Sequence, residues 1–192
     1  MPLLNPRRRA LVLVALAAAG ALGLAACSSS PSNSSSAANV SPTTTTSAAG
    51  QSTAIGTIPA ADRSPAGTAG QAPTVTVPSG TPPTGLESAD LIVGTGPEAA
   101  AGDQVTVQYV LATYSAGKVI QSSWTSQPFT FTLGQGQVIP GWDQGVAGMH
   151  EGGRRELIIP PSLGYGANPP QGAAGIAAND TLVFVVDLLK VG

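Results

Sequence analysis

Side chains that could act as nucleophiles, general bases or metal ligands are scarce in this sequence. Its 192 residues include one histidine, His150, and one cysteine, Cys27. A Ser/His/Asp triad would have to be built on His150, and a Cys/His pair has no nucleophile because Cys27 lies outside the part of the chain that can fold. A metal site would need a second histidine or a cysteine pair at ligand spacing. We therefore expect no metal and no cofactor, and we place His150 at the end of a short helix, where positive charge suits the helix dipole.

Aromatic side chains are the remaining candidates for a functional site. All of them lie in the second half of the chain: Tyr109, Tyr114, Trp124, Phe129, Phe131, Trp142, Tyr165 and Phe184. Because large apolar side chains supply much of a core, this distribution predicts a single globular domain there. From residue type alone, these aromatic residues could line a pocket or form ordinary core packing, and both interpretations stay open at this point.

Short strands are predicted to position these aromatic residues. Residues 104–113 alternate with the period of a half-buried strand, and Ser115-Ala116-Gly117 supplies a hairpin turn to a returning strand at 118–122. Further strands are predicted at 91–93, 129–133, 154–159 and 181–189. Only Pro140 to Met149 has the features of a helix, with proline at its start and Gly152-Gly153 after its end.

This pattern predicts an α+β fold in which a strongly twisted antiparallel sheet of about five strands wraps around one short helix. Between the last two strands, residues 160–180 show no periodicity. Loops of this length inside a compact domain are usually functional or disordered. Because this one carries Tyr165 and Ile176, which are unusual in solvated chain, we expect it to contribute to a site.

The beginning of the chain predicts export and lipid attachment. Arg7-Arg8-Arg9 precede an apolar run at 10–24, as in a signal peptide, and this run is short for a membrane span, which needs about 20 residues. Leu24-Ala25-Ala26-Cys27 resembles a bacterial lipobox, in which the cysteine carries a diacylglycerol. The prediction is a lipoprotein signal peptide at 1–26 and a lipid anchor at Cys27; the alternative is a free or buried thiol.

Residues 28–83 have the composition of a linker. They are dominated by Ser, Thr, Ala, Pro, Gly and Gln, with Asp62 and Arg63 their only charged residues. Such a segment buries too little apolar area to offset the entropy of ordering its backbone. We therefore predict that the lipidated cysteine and a disordered tether occupy 27–83, and that the folded domain spans 84–192.

Several motifs in the predicted domain occur together in one known family. They are Gln127 to Gly145 (QPFTFTLGQGQVIPGWDQG), Gly152 to Pro160 (GGRRELIIP), Leu163 to Ala167 (LGYGA) and Thr181 to Phe184 (TLVF). In their order and near-family spacing, these motifs resemble the FKBP-type peptidyl-prolyl cis/trans isomerases, or immunophilins. The resemblance extends over residues 86–191 and implies the fold and the activity of that family.

The resemblance also implies roles for individual residues. A substrate proline would lie over the indole of Trp142, and the Ile139 backbone N–H and the Tyr165 hydroxyl would donate hydrogen bonds to substrate carbonyls. The implied catalytic residues are Tyr109, Ile139, Trp142, Tyr165 and Phe184. The implied substrate-binding residues are Ile120, Gln121, Phe129, Val138 and Ile176.

Two departures from the family pattern affect the expected pocket. The family usually has Phe-Asp before Ser-Ser, whereas this chain has Ile120-Gln121, so an aromatic wall becomes aliphatic and a carboxylate becomes an amide. The loop before Ile176 is Gly172-Ala173-Ala174-Gly175 in place of a bulkier apolar lip. We expect the domain to remain catalytic. Gln121 should lower the rate, and the smaller lip should reduce selectivity among substrates.

Together these features predict an isomerase that assists the folding of exported proteins at the outer face of a bacterial cytoplasmic membrane. Its expected partners are proline-containing polypeptides and, through Cys27, the membrane; we expect a monomer, and macrolide binding stays open. Loss of Arg7–Arg9 with the signal would leave 5 Lys and Arg against 10 Asp and Glu, and without a basic patch nucleic acid is not an expected partner. The alternatives are a chaperone-like or partner-binding module with weak or no isomerase activity, and a surface protein that interacts with a host.

Overall fold

The computed structural model describes residues 54–170 and 175–192. The predicted signal peptide, the anchor at Cys27 and most of the lip at 172–175 lie outside the described residues. Within the described ranges, no helix is both long enough and apolar enough to cross a membrane.

A seven-stranded sheet forms the framework of the described chain. Its strands are β1 Gly56–Thr57, β2 Glu87–Ile92, β3 Gln104–Thr113, β4 Lys118–Ser122, β5 Phe129–Thr132, β6 Arg154–Ile159 and β7 Leu182–Val191. The strand order is β1-β2-β6-β7-β3-β4, and β5 also pairs with β3. The β1–β2 pairing is parallel and the other pairings are antiparallel. The predicted α+β class is confirmed, with a larger and mixed sheet in place of the smaller, wholly antiparallel one expected.

The centre of the sheet is the long pairing of β3 with β7. The first seven residues of β7 are all buried, which explains why this strand reads as an almost continuous apolar run instead of an alternating one. β3 and β7 hold Tyr109 and Phe184 on the same face of the sheet, with ring centroids 6.0 Å apart. This face carries the main hydrophobic core, to which Trp142 also belongs.

The helix α1, Pro140–Gly145, packs closely against β6. A Cβ atom at Gly141 would lie 2.4 Å from Ile159 Cγ2, and one at Gly145 would lie 2.6 Å from Leu157 Cδ2. Glycine at these two positions therefore allows the helix backbone to approach the sheet. As a result, the indole of Trp142 is set into the core beside the rings on β3 and β7.

The helix is shorter than the predicted range, which extended to Met149. Gly148 adopts a positive φ of 74°, which turns the chain out of the helical path. Met149 can then accept a hydrogen bond from the Ala99 N–H at 2.8 Å. The prediction that His150 lies at the end of a helix was wrong for the same reason: His150 forms an isolated antiparallel bridge with Glu98.

The opposite face of the sheet is covered by residues 54–77, which we call the strap. The Gly56 N–H donates to Leu86 O at 2.8 Å, and Val75 and Val77 pack against a second apolar cluster. The buried members of this cluster are Ile58 of the strap and one residue from each of β2, β3, β6 and β7: Ala89, Ala112, Ile158 and Val183.

The strap differs from the prediction of a disordered tether that continues to residue 83. Its composition is as poor in apolar side chains as that prediction assumed. However, Ser64 and the backbone carbonyls of Ala66 and Gln71 form hydrogen bonds with buried charged side chains on β6. The folded unit accordingly includes residues 54–77 as well as the predicted domain from residue 84.

Candidate active site

A cavity of about 480 Å³ opens beside α1, a volume within the range of small-molecule and peptide side-chain sites. It brings together most of the residues that the sequence predicts for the site: Tyr109, Gln121, Phe129, Val138, Ile139, Trp142, Tyr165 and Phe184. These residues come from β3, β4, β5, α1, β7 and two loops, so the cavity exists only in the folded chain.

Trp142 forms the floor of the cavity and is 4% exposed. The rings of Tyr109 and Phe184 stand almost perpendicular to its indole, with centroids 5.3 and 5.2 Å away. Phe129 completes the enclosure at 6.1 Å and is partly exposed at the cavity mouth. Edge-to-face packing of this kind fixes the orientation of each ring, so the floor is a rigid apolar surface.

The polar side of the cavity comes from a loop that we call the pocket loop, residues 133–139, between β5 and α1. Ile139 ends this loop in an extended conformation, with φ −61° and ψ 146°. Its carbonyl accepts a hydrogen bond from the Trp142 N–H at 2.9 Å, and its own N–H makes no backbone hydrogen bond with another described residue. The Ile139 N–H is therefore free to bind a carbonyl that enters the cavity.

Two tyrosine hydroxyls contribute to the electrostatics of the cavity. Burial raises the pKa of Tyr109, and the nearby Tyr165 raises it further. Burial also raises the pKa of Tyr165. Because both groups already ionise only in alkaline solution, they stay protonated near neutral pH and can act as hydrogen-bond donors.

Gln121 lies exposed at the rim, on the edge strand β4 opposite Leu111 of β3. The neighbouring Ile120 does not line the cavity; it packs against the core and contacts the loop at Gly175. Ile176 likewise packs against the core outside the cavity lining. Neither isoleucine is therefore among the described residues that line the cavity.

Sequence reasoning missed two lining residues, Gln137 and Pro140. Both lie within the motif that predicted Val138 and Ile139, Gln137 in the pocket loop and Pro140 at the start of α1, so their proximity to those residues was the available signal. Gln137 also stabilises the loop, since its Oε1 accepts the Thr132 N–H at 2.9 Å. Among the described residues, no group of three or more His, Cys, Asp or Glu side chains could hold a metal ion.

Comparison with known proteins accounts for this arrangement. The model of the FKBP-type peptidyl-prolyl cis-trans isomerase family matches residues 96–189. An FK506-binding protein of Streptomyces anulatus is 51% identical over 122 residues, which are 62% of this chain and 96% of that protein. The chain belongs to the FKBP-type peptidyl-prolyl cis-trans isomerase family.

Other relatives support this assignment to the isomerase family. An FK506-binding protein of Neisseria meningitidis serogroup B is 49% identical over 108 residues, covering 56% of this chain and 96% of that protein. The crystal structure of AtFKBP13 aligns with a TM-score of 0.50 and 38% identity, and the alignment covers 58% of this chain and 96% of that one. The similarity therefore extends over almost the whole of these relatives, and the strap lies outside the part that the family model matches.

Proposed function

We propose that this isomerase rotates X–Pro bonds of exported proteins, with the proline bound in the cavity above Trp142. The observation that carries the proposal is one juxtaposition: an aromatic floor lies next to two hydrogen-bond donors, the Ile139 N–H and the Tyr165 hydroxyl. The described residues that line the cavity include no Ser, Cys, His or Lys. Rotation of an amide bond needs none of these groups, whereas hydrolysis or group transfer would.

An apolar cavity can accelerate this rotation through the electronic structure of the amide. The barrier of about 18 to 20 kcal/mol comes from resonance that places negative charge on the oxygen. Water stabilises this charge-separated form, and aromatic walls do not, so transfer into the cavity weakens the double-bond character of the C–N bond. Donors that bind the twisted amide better than the planar one then stabilise the transition state.

A substitution at the cavity floor tests this mechanism in the full chain. We expect Trp142→Leu to lower kcat/KM for a proline peptide at least about tenfold, because the proline loses its surface. Phe131→Leu is the matched control, since Phe131 lies 5.7 Å from Trp142 and is buried outside the cavity lining. Equal losses in the two variants would contradict the mechanism.

Refolding of an exported protein tests the proposed role and separates it from the chaperone-like alternative. A refolding phase limited by X–Pro isomerisation lasts tens to hundreds of seconds without catalysis. We expect catalytic amounts of the chain to shorten that phase. If the chain only prevents aggregation, at stoichiometric amounts and with the slow phase unchanged, the result would favour the chaperone-like alternative. The amide of Gln121 at the cavity rim supports that alternative.

We further propose that Cys27 anchors the protein to the outer face of the cytoplasmic membrane. Support comes from the apolar run at 10–24 and the lipobox-like residues that end it, and two acyl chains would supply a stable anchor. We expect Cys27→Ser to move the protein from the membrane fraction to the soluble fraction, whereas Ser30→Ala should not. Membrane retention of the Cys27→Ser variant would contradict the anchor.

A further inference from the structure

The pocket loop is held in place from α1 by one carboxylate. Asp143 Oδ1 accepts the Gly134 N–H at 2.9 Å, and Oδ2 accepts the Gly136 N–H at 3.0 Å. Both glycines have positive φ angles, 74° and 65°, so this part of the loop follows neither a helix nor a strand. The two N–H groups are therefore bound by a side chain that projects from the residue next to Trp142.

We propose that Asp143 is a positioning residue for prolyl isomerisation. By binding the loop at two points, it keeps Val138 in the cavity wall and the Ile139 N–H directed at the substrate. Because Asp143 and Trp142 are adjacent on α1, the same helix then sets the floor and the polar side of the cavity relative to each other. Isomerisation would depend on Asp143 in this way whichever proteins are the clients.

The carboxylate geometry determines which substitutions test the proposal. A carboxylate offers two acceptor oxygens, whereas an asparagine side chain offers one and directs an NH₂ group toward the second N–H. Asp143→Asn therefore loses one contact and gains a repulsive one, and Asp143→Ala loses both. Asp143→Glu retains both acceptors on a longer side chain.

We expect Asp143→Asn and Asp143→Ala to raise KM about tenfold and to change kcat less than about twofold, because a loosened loop populates the competent conformation less often. Asp143→Glu should restore KM to within about threefold of the original value. The matched control is Asp103→Asn, because Asp103 also binds a backbone N–H in an exposed loop, that of Ala100 at 2.8 Å, but does not line the cavity.

The same variants show how the proposal would fail. If Asp143→Asn and Asp103→Asn have the same KM, Asp143 does not position the site. If Asp143→Glu loses activity as Asp143→Ala does, with an equal fall in Tm, the residue has only a structural role. Altered NMR shifts of the Gly134 and Gly136 N–H groups in Asp143→Asn, together with the raised KM, would support the proposal.

The contact between the strap and the sheet carries a second inference. Glu156 accepts two hydrogen bonds from Ser64, from its N–H at 2.8 Å and from its hydroxyl at 2.6 Å. Arg154 donates to Ala66 O at 2.7 Å and to Gln71 O at 2.6 Å. The strap is thus bound through polar groups as well as through the apolar contacts of Ile58, Val75 and Val77.

The sheet surface beneath the strap is unlike a dry core. Arg154 is 1% exposed, Glu156 is fully buried and Asp187 is 5% exposed; Arg154 also pairs with Asp187 at 2.6 Å. Removing charged groups from water is costly, and this cost offsets much of the gain from their contacts. Without the strap, water would solvate these charged groups, whereas the sheet would expose the apolar side chains of Ala89, Ala112, Ile158 and Val183.

One relative indicates that a domain of this family can fold without a strap. The family model matches residues 96–189 only, and 96% of the Neisseria relative aligns over 108 residues. This relative is therefore about as long as the predicted domain at 84–192. The strap is an addition to a unit that folds without it in a relative.

We propose that the strap undocks and redocks as a unit while the rest of the domain stays folded. Undocking would release the chain from residue 54 to residue 77, which spans up to about 80 Å when extended. The cavity lies on the opposite face and keeps its geometry in both states. If Cys27 is the anchor, undocking extends the distance over which the domain reaches substrates; the undocking itself does not depend on the anchor.

Native-state hydrogen exchange on the full chain tests this proposal. We expect the N–H groups of Ile58 and Ser64 to exchange at least about tenfold faster than those of Leu157 and Phe184, since local openings need less free energy than global unfolding. Ser64→Ala should accelerate exchange in the strap about tenfold and leave the central strands unchanged. Ser79→Ala is the matched control, because Ser79 is exposed and outside the strap.

Two results would overturn the proposal. The first is equal exchange rates in the strap and in the central strands, which would make the strap part of the global unit. The second is that Ser64→Ala accelerates exchange in both regions equally. Isomerase activity should be the same in Ser64→Ala and Ser79→Ala, and a selective loss in Ser64→Ala would show that the strap supports the cavity.

Discussion

Gln121 is the residue at which this chain departs from its family in the cavity itself. It lines the cavity from an edge strand and is exposed, so its amide can reach both substrate and water. By resemblance to the family, the usual residue here is an aspartate, which has two acceptor oxygens and a charge. An amide replaces these with one acceptor and one donor group.

We predict that Gln121→Asp raises kcat/KM for a proline peptide, by up to about tenfold. The physical reason is that a hydrogen bond accepted by a carboxylate is stronger than one accepted by a neutral amide. A protease-free isomerisation assay measures the effect. Gln135→Asp, which adds the same charge in the pocket loop outside the cavity lining, is the control, and an unchanged or lower rate in Gln121→Asp alone would reject the idea.

At the scale of elements, α1 and the strap pack against the sheet in different ways. The helix uses Gly141 and Gly145 to bring its backbone against apolar side chains of β6. The strap buries Ile58 and Pro73 and also binds through hydrogen bonds to charged groups. The first contact is apolar, whereas in the second the desolvation of the charges offsets part of the gain from the contacts.

This difference predicts unequal costs for two similar substitutions. Ile159→Ala, beside α1, should lower the free energy of unfolding by about 2 to 5 kcal/mol, as expected for a buried isoleucine. Ile58→Ala should cost less than about 2 kcal/mol, because the loss cannot exceed the free energy that docks the strap. Urea unfolding followed by the fluorescence of the two tryptophans, Trp124 and Trp142, measures both values. Equal costs would show that the strap unfolds only with the whole domain.

At the scale of the whole molecule, one buried carboxylate links stability to pH. Burial raises the pKa of Glu156, while the hydrogen bonds from Ser64 and the charge of Arg63 act in the opposite direction. Arg154 and Asp187 lie on the same face of the sheet and are paired with each other. Because the folded state binds this proton more tightly than the unfolded state does, the Glu156 contribution to stability is greatest in acid and falls as pH rises through its folded pKa.

We therefore predict that Glu156→Gln stabilises the protein relative to the original chain at pH 7 and that this advantage shrinks toward pH 4. The substitution removes the cost of burying a charge and keeps the shape of the side chain. One of the two donors is the Ser64 hydroxyl, which, unlike a backbone N–H, can rotate to accept a hydrogen bond from the new NH₂ group. Urea unfolding at several pH values gives the measurement. Glu151→Gln is the control, since Glu151 also accepts a backbone N–H, from Val191 at 2.9 Å; the same pH trend in both variants would contradict the prediction.

Much of the cavity could be predicted from the sequence because its residues belong to strands and motifs with local signals. The alternation at 104–113 places Tyr109 on a strand, and the motif around Trp142 identifies the helix and the pocket loop. The exact lining could not be predicted. Ile120 and Ile176 pack against the core and are not among the lining residues, because side-chain direction at a loop contact depends on the packing of both elements.

By itself, the sequence determined the family, the central strands and the aromatic floor, since periodicity and motif order are properties of neighbouring residues. Only the tertiary structure showed that the strap packs against the sheet. Its composition predicts disorder, and the groups that bind it are distant in sequence: Ser64 and Glu156 are 92 residues apart, and Ala66 and Arg154 are 88 apart. No local pattern reports such contacts, because they arise only when β6 already lies in the sheet.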